Sequence, residues 1–234
     1  KARKGLVPAV GAVRASGSTF ILEDIAFPVE LLGDAILALQ ELFLKHGYEQ
    51  AIIFGHAKDG NIHFVISQSF HQKEEIDRYD RFIRDMVAVV VDRYQGTLKA
   101  EHGTGRNMAP FVEAEWGGDA YRIIKRIKAV IDPSGLLNPG VIVNDDADAH
   151  IKDLKELPTV EEEVDRCIEC GFCESVCPSH DLTTSPRRRI VARRELKRME
   201  QSGNKREYAQ LLGEYQYHAL RSEEHTSELQ SRGL

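Results

Sequence analysis

An α+β layer, an antiparallel sheet with helices packed on one side, followed by a small, mostly α-helical domain that carries four cysteines, is the architecture predicted for this 234-residue chain. Three observations predict it. The first half reads in the order strand, helix, hairpin, helix; its helical stretches are apolar at helical spacing; and all the cysteines lie between Cys167 and Cys177.

The elements follow in order. Ser18 to Val29, STFILEDIAFPV, mixes β-branched and aromatic residues, and Pro28 marks an edge or an end of the strand. Glu30 to His46 is predicted helical from Leu31, Leu32, Ala35, Leu39, Leu42 and Phe43, with Gly47 as its stop. Gln50 to Phe70 reads as a hairpin, and Glu74 to Tyr94 as a second helix carrying Ile76, Phe82, Ile83, Met86, Val87, Val90 and Val91. Met108 to Trp116 and Asp119 to Ile131 are further helices, and Asp132 to Gly140, DPSGLLNPG, is dense in turn formers. Residues 1–144 form the first expected domain, the acidic stretch 145–158 a linker, and 159–220 a domain with helices at Pro186 to Gln201 and Glu207 to Leu220. Arg221 to Leu234, RSEEHTSELQSRGL, has the look of a translated library adapter and is set aside as non-native.

A hydrophobic fraction of 42% suits a globular core, and a net charge of −6 argues against a general nucleic-acid binder. No run approaches the ~20 apolar residues that span a bilayer. No signal segment opens the chain, which says little because it begins at Lys1.

Cys167, Cys170, Cys173 and Cys177 precede Pro178, the C-x2-C-x2-C-x3-C-P spacing of bacterial iron–sulfur proteins. A disulfide framework would want separated cysteines in a small secreted chain, and structural zinc draws on two distant ligand pairs. In two-cluster ferredoxins the fourth cysteine of such a run ligates the other cluster. With no fifth cysteine here, either one cluster takes all four thiolates or the sequence stops before a second run; we expect the latter. Cluster thiolates imply a reducing compartment, the cytoplasm or the inner face of its membrane.

The hairpin supplies a second constellation. A two-residue Asp59-Gly60 turn would set Lys58 against Asn61, Ala57 against Ile62 and His56 against His63, whose Cβ atoms would lie roughly 4.5–5.5 Å apart. Period two sends Ile62, Phe64 and Ile66 to the core and His63 to the other face. Glu101 and His102 sit in the glycine-rich stretch GTLKAEHGTGR. Two imidazoles and a carboxylate with an open fourth position suit a catalytic divalent metal such as zinc, with His102 left as a base. The plainer alternatives are exposed hairpin histidines and a solvated loop carboxylate. The basic run Arg187, Arg188, Arg189, Arg193, Arg194, Lys197 and Arg198 is either a solvated face or a docking surface for an acidic redox partner or anionic lipid, which would make membrane association peripheral.

Four segments together resemble the C-terminal part of FAD-linked 2-hydroxy-acid dehydrogenases, in particular the large bacterial FAD and iron–sulfur D-lactate dehydrogenases, over about residues 6–220. They are FGHAKDGNIHFV, LKAEHGTGRNMAPFVE, DPSGLLNPG and VDRCIECGFCESVCPS. The resemblance implies an FAD-binding domain before this region and a second cysteine run after it. It implies that His56, His63 and Glu101 hold a divalent metal, that His102 takes the hydroxyl proton, that Arg14 binds the substrate carboxylate, and that Asn138 lies in a turn approaching the flavin. Leu22 departs from the pattern, standing where relatives carry a basic residue. The implied reaction oxidises D-lactate to pyruvate, with hydride to FAD and electrons through 4Fe-4S clusters to a cytochrome or quinone. D-2-hydroxyglutarate or glycolate oxidation is the alternative within the family, and a non-catalytic electron-transfer module the alternative outside it.

Overall fold

The computed structural model describes residues 11, 13–180 and 184–219. It divides into two units, Thr19–Glu156 and Lys1–Ser18 with Leu157–Leu234. The tail from Arg221 and the last residue of the expected final helix, Leu220, lie outside the described residues.

The first unit is the predicted α+β layer. Strands β1 (Thr19–Ala26), β2 (Ile52–His56) and β3 (Asn61–Gln68) form an antiparallel sheet in the order β1-β3-β2. Helix α1 (Leu32–Lys45) buries Leu32, Ala35, Ala38, Leu39, Leu42 and Phe43, one stripe at steps of three and four. Helix α2 (Lys73–Val87) opens on a capping box between Gln72 and Glu75 and buries Tyr79, Phe82, Ile83, Met86 and Val87. A π-helical stretch, Ala88–Arg93, continues it to the predicted end near Tyr94. Both stripes meet Ile25, Ile62, Phe64 and Ile66 from one face of the sheet. Helices α3 (Val112–Trp116) and α4 (Gly118–Ile131) follow.

The hairpin departs from its expected register. Ala57–Asp59 forms a 3-10 turn and only Gly60 is left-handed, with φ 69°, so the loop holds four residues. A two-residue type I′ turn needs positive φ at both central positions, and Asp59 does not supply it. The Gly60 carbonyl instead accepts the Phe27 N–H at 3.0 Å, which ties the loop tip to the end of β1. His56 therefore opposes Asn61, and His63 opposes Phe54. The shift is two residues, so it preserves the face on which each side chain lies.

The stretch expected as a linker is packed as far as Glu156. His150, in a 3-10 turn at Ala149–Ile151, has a fully buried side chain, bonds Asp80 at 2.6 Å and meets the Phe111 ring. The second unit contains the short helix α5 (Glu162–Asp165), the cysteine loop, and helices α6 (Pro186–Ser202) and α7 (Lys205–Ala219). Residues Gly11 to Ser18, which the sequence assigns to the first domain, belong with this unit. Among the described residues no helix is long and apolar enough to cross a membrane.

Candidate active site

On the sheet face opposite the core, β3 presents His63 between Asp24 of β1 and Phe54 of β2, with His56 diagonally adjacent. Gly55, between Phe54 and His56, lets the strands close here: a Cβ at that position would lie 2.6 Å from the Asn61 carbonyl oxygen and from the Ile62 Cα.

Glu101 reaches this face from the glycine-rich loop. Its Oε1 lies 3.0 Å from His63 Nε2, 3.4 Å from His56 Nε2 and 3.8 Å from His102 Nε2. His56, His63 and Glu101 offer one donor atom each within 4.8 Å of one another. The His102 ring stacks on His63, with centroids 4.8 Å apart and planes 5° from parallel, and its own side chain is 42% exposed. The four residues singled out in the sequence thus converge.

Asp24, which sequence reasoning passed over, fastens the loop to the sheet. Its Oδ2 accepts the main-chain N–H groups of Ala100, Glu101 and His102 at 3.1, 2.6 and 2.8 Å, and its Oδ1 accepts Asn61 Nδ2 at 2.6 Å. Burial pushes the Asp24 carboxyl up, but these donors outweigh it and hold the group below the usual range. The signal was present as a carboxylate pair, Glu23-Asp24, inside an apolar strand, because buried carboxylates must find donors. Glu23, on the opposite face, finds Lys99 and Asn107, and its burial raises its carboxyl above the ordinary range.

His63 Nδ1 is buried without a hydrogen-bond partner and stands 3.4 Å from Asp24 Oδ1. Burial pushes the His63 imidazole down, against the pull of Asp24, which favours the neutral ring a metal requires. A proton on Nδ1 facing Asp24 leaves the Nε2 lone pair facing Glu101, the carboxylate–histidine arrangement found behind bound cations. These residues fit a divalent metal: one anionic oxygen and two imidazole nitrogens converge within 4.8 Å of one another.

The remaining residues are placed differently. Asn138 is exposed at the DPSGLLNPG turn in a left-handed conformation, with φ 44°, and its carbonyl accepts the Val141 N–H. Arg14 belongs to the second unit, and its donors are engaged by main-chain carbonyls from Gly11, Ser18 and the segment Asp165–Cys167, which corrects its expected role on a substrate carboxylate. A guanidinium so occupied has no fork left for a ligand.

The four cysteines are free thiols on one loop, flanked by donors suited to sulfur. The Glu169 N–H points at Cys167 Sγ at 3.3 Å. Bonds from Ser179 hold the Cys177 thiol below its usual range, which favours the thiolate that iron requires. The basic run of α6 is mostly paired within its own unit: Arg187, Arg193 and Arg194 with Glu174, Glu161 and Glu169, and Lys197 and Arg198 with glutamates of the helix.

Residues 1–142 match the family described as FAD linked oxidases, C-terminal domain, and residues 166–211 match a 4Fe-4S dicluster domain. Glycolate oxidase subunit GlcD of Bacillus subtilis is 30% identical over 148 residues, 63% of this chain and 30% of that protein. The mitochondrial D-lactate dehydrogenase (cytochrome) of Kluyveromyces lactis is 30% identical over 127 residues, 54% of this chain and 21% of that protein. D-2-hydroxyglutarate dehydrogenase of Pantoea ananatis is 30% identical over 205 residues, 76% of this chain and 20% of that protein. The chain therefore spans between a fifth and a third of the length of these relatives.

Proposed function

Because this chain belongs to the FAD-linked oxidases, through their C-terminal domain, and carries a 4Fe-4S dicluster domain behind it, we propose that it is the substrate-activating and electron-exit part of a flavin-dependent D-lactate dehydrogenase. The observation that carries the proposal is the single oxygen of Glu101 gathered among three imidazoles.

A divalent cation held by His56, His63 and Glu101, zinc in our reading, would supply Lewis acidity to the substrate's 2-hydroxyl, lowering its pKa by several units. His102 stands beside that group as the proton acceptor. Its ring is fixed by stacking on His63, its N–H backbone by Asp24, and its exposed side leaves room for a substrate. FAD would supply the hydride acceptor, and Asn138 is the residue of this chain that would lie towards it. Cys167, Cys170, Cys173 and Cys177 would hold iron–sulfur, which would supply one-electron chemistry towards a cytochrome or quinone.

D-lactate is favoured over the dicarboxylate D-2-hydroxyglutarate by the ground next to the imidazoles. Leu22, Val65 and Ile52 lie side by side on the same sheet face, and Leu22 and Val65 each stand two residues from a site residue, Asp24 and His63. Leu22 and Ile52 are partly exposed, and apolar ground there suits a methyl group.

Two measurements test the proposal. Zinc titrated into the chain with Cys167, Cys170, Cys173 and Cys177 all changed to Ser should bind at one site that His63→Ala or Glu101→Ala abolishes; binding that survives both changes removes the metal centre. In the full-length enzyme, His102→Ala should slow flavin reduction by D-lactate in a single turnover by about 10²–10⁴-fold. An unchanged rate would show that His102 takes no proton.

A further inference from the structure

Two arginines that the proposed reaction does not use converge on the first cysteine. Arg194, from α6, has a side chain only 5% exposed. Its Nη2 donates to the carbonyls of Val164 and Cys167, both at 2.8 Å, and its Nη1 to the Glu169 carboxylate at 2.5 Å. Arg14 donates from Nη2 to the carbonyls of Asp165 at 2.9 Å and Cys167 at 3.0 Å, and from Nη1 to that of Arg166 at 3.3 Å. Two guanidiniums therefore share the Cys167 carbonyl. They occupy the C-terminal end of α5, where helix carbonyls lack main-chain partners and the helix dipole favours positive charge.

Glu169 gives this arrangement a purpose beyond tying down a loop. It is one of the few non-glycine residues with positive φ, at 60°, a conformation that costs about 1 kcal/mol or more without a compensating contact. In that conformation its N–H meets Cys167 Sγ at 3.3 Å. Its carboxylate, anchored on the buried Arg194, is the contact that offsets the cost.

We propose that Arg194 and Arg14 are positioning residues of the iron–sulfur site: Arg194 holds Glu169 in the turn that aims its N–H at the Cys167 sulfur, and the two guanidiniums together favour the reduced form of the cluster bound there. A cluster held by thiolates carries surplus negative charge, and each electron accepted adds one more. Hydrogen bonds to sulfur and nearby positive charge both relieve it, which raises the reduction potential. Glu169 and Asp165 balance the two arginines while the thiols are protonated, so the surplus appears only with the cluster. The inference rests on the iron–sulfur assignment of Cys167, Cys170, Cys173 and Cys177 and is independent of the hydroxy-acid reading.

The test uses the whole chain, reconstituted anaerobically with ferrous iron and sulfide and titrated reductively while its absorbance and electron paramagnetic resonance are followed. A wild-type chain that takes up neither iron nor sulfide would overturn the iron–sulfur assignment itself. With a loaded wild type in hand, Arg194→Gln should release iron to a chelator roughly tenfold more readily and lower the midpoint potential. Adding Glu169→Gly, which adopts positive φ without cost and removes the carboxylate that Arg194 had balanced, should recover most of the iron retention and return the midpoint towards the wild-type value. Arg194→Gln with wild-type retention and midpoint, or a double variant that recovers nothing, would refute the role of Arg194. Should Arg194→Gln fail to fold, the half-buried Arg14 serves instead: Arg14→Gln should lower the midpoint with retention nearly intact, and an unchanged midpoint refutes the electrostatic part.

Discussion

Removing the Asp24 carboxylate should unfasten the ligand loop from the sheet. Asp24 is fully buried and accepts four hydrogen bonds, three of them from consecutive main-chain N–H groups of the loop. A hydrogen bond to a charged group contributes about 1.5–3 kcal/mol, and each buried donor left unpaired costs about 1–3 kcal/mol. These contributions are not additive, because the loop relaxes and water reaches its amides once the anchor is gone. Asp24→Ala should therefore cost about 3–5 kcal/mol, at the upper end for a single buried charged group. At roughly 2–4 °C per kcal/mol for a unit of this size, that is a fall in Tm of about 6–20 °C. Calorimetry on the chain measures it, and hydrogen exchange localises it: the amides of Ala100, Glu101 and His102 should lose protection ahead of the rest. Zinc affinity should fall by roughly 10–100-fold although no proposed ligand has changed. The charge adds a pH signature. The folded carboxyl lies below its unfolded value of about 3.9, so its contribution is fully present above that value and fades as pH falls through the folded pKa. A variant with a Tm within about 2 °C of wild type and undiminished zinc binding would refute this account.

Three further perturbations follow from the same packing. Gly55→Ala would drive a Cβ to 2.6 Å from β3 backbone atoms, so it should destabilise the chain by about 2–4 kcal/mol in denaturant titration; a near-neutral result would mean that the strands do not pair this closely. Lys99→Met leaves the buried Glu23 without its cation and should cost about 3–5 kcal/mol, whereas Lys99→Met combined with Glu23→Gln should recover most of that loss, and a double variant no better than the single would exclude the ion pair as the cause. His150 is buried, and burial holds its imidazole below the ordinary range despite Asp80, so the unfolded state binds the proton more readily and stability should fall as pH drops below about 6.5. His150→Leu should flatten that slope in thermal melts between pH 7 and 5, and an unaltered slope would assign the titration elsewhere.

Much of the site was legible because its signals are local. Alternation along β3 sends Ile62, Phe64 and Ile66 one way and His63 the other whatever the hairpin register, and the actual two-residue shift kept His56 beside it. The stripes on α1 and α2 and the cysteine spacing likewise depend only on residues a few positions apart. The hairpin loop differs from the expectation because its length was decided by a bond from the Phe27 N–H to the Gly60 carbonyl, which no rule confined to the turn contains. Asp24 was passed over for the same reason: its partners lie 76 to 78 residues away.

By itself, then, the sequence determined which atoms are available for chemistry: two imidazoles on one sheet face, a carboxylate and a third imidazole on a glycine-rich loop, and four thiols at iron–sulfur spacing. Only the tertiary structure decided their company. It brought Glu101 to the histidines through Asp24, turned Arg14 from a ligand for substrate into a support for the cysteine loop, and drew His150 into the core. Periodicity and turn preference arise from neighbouring backbone atoms and can be read along the chain. Burial of charge is resolved by whichever donors the fold carries to it, and those are fixed only when distant segments meet.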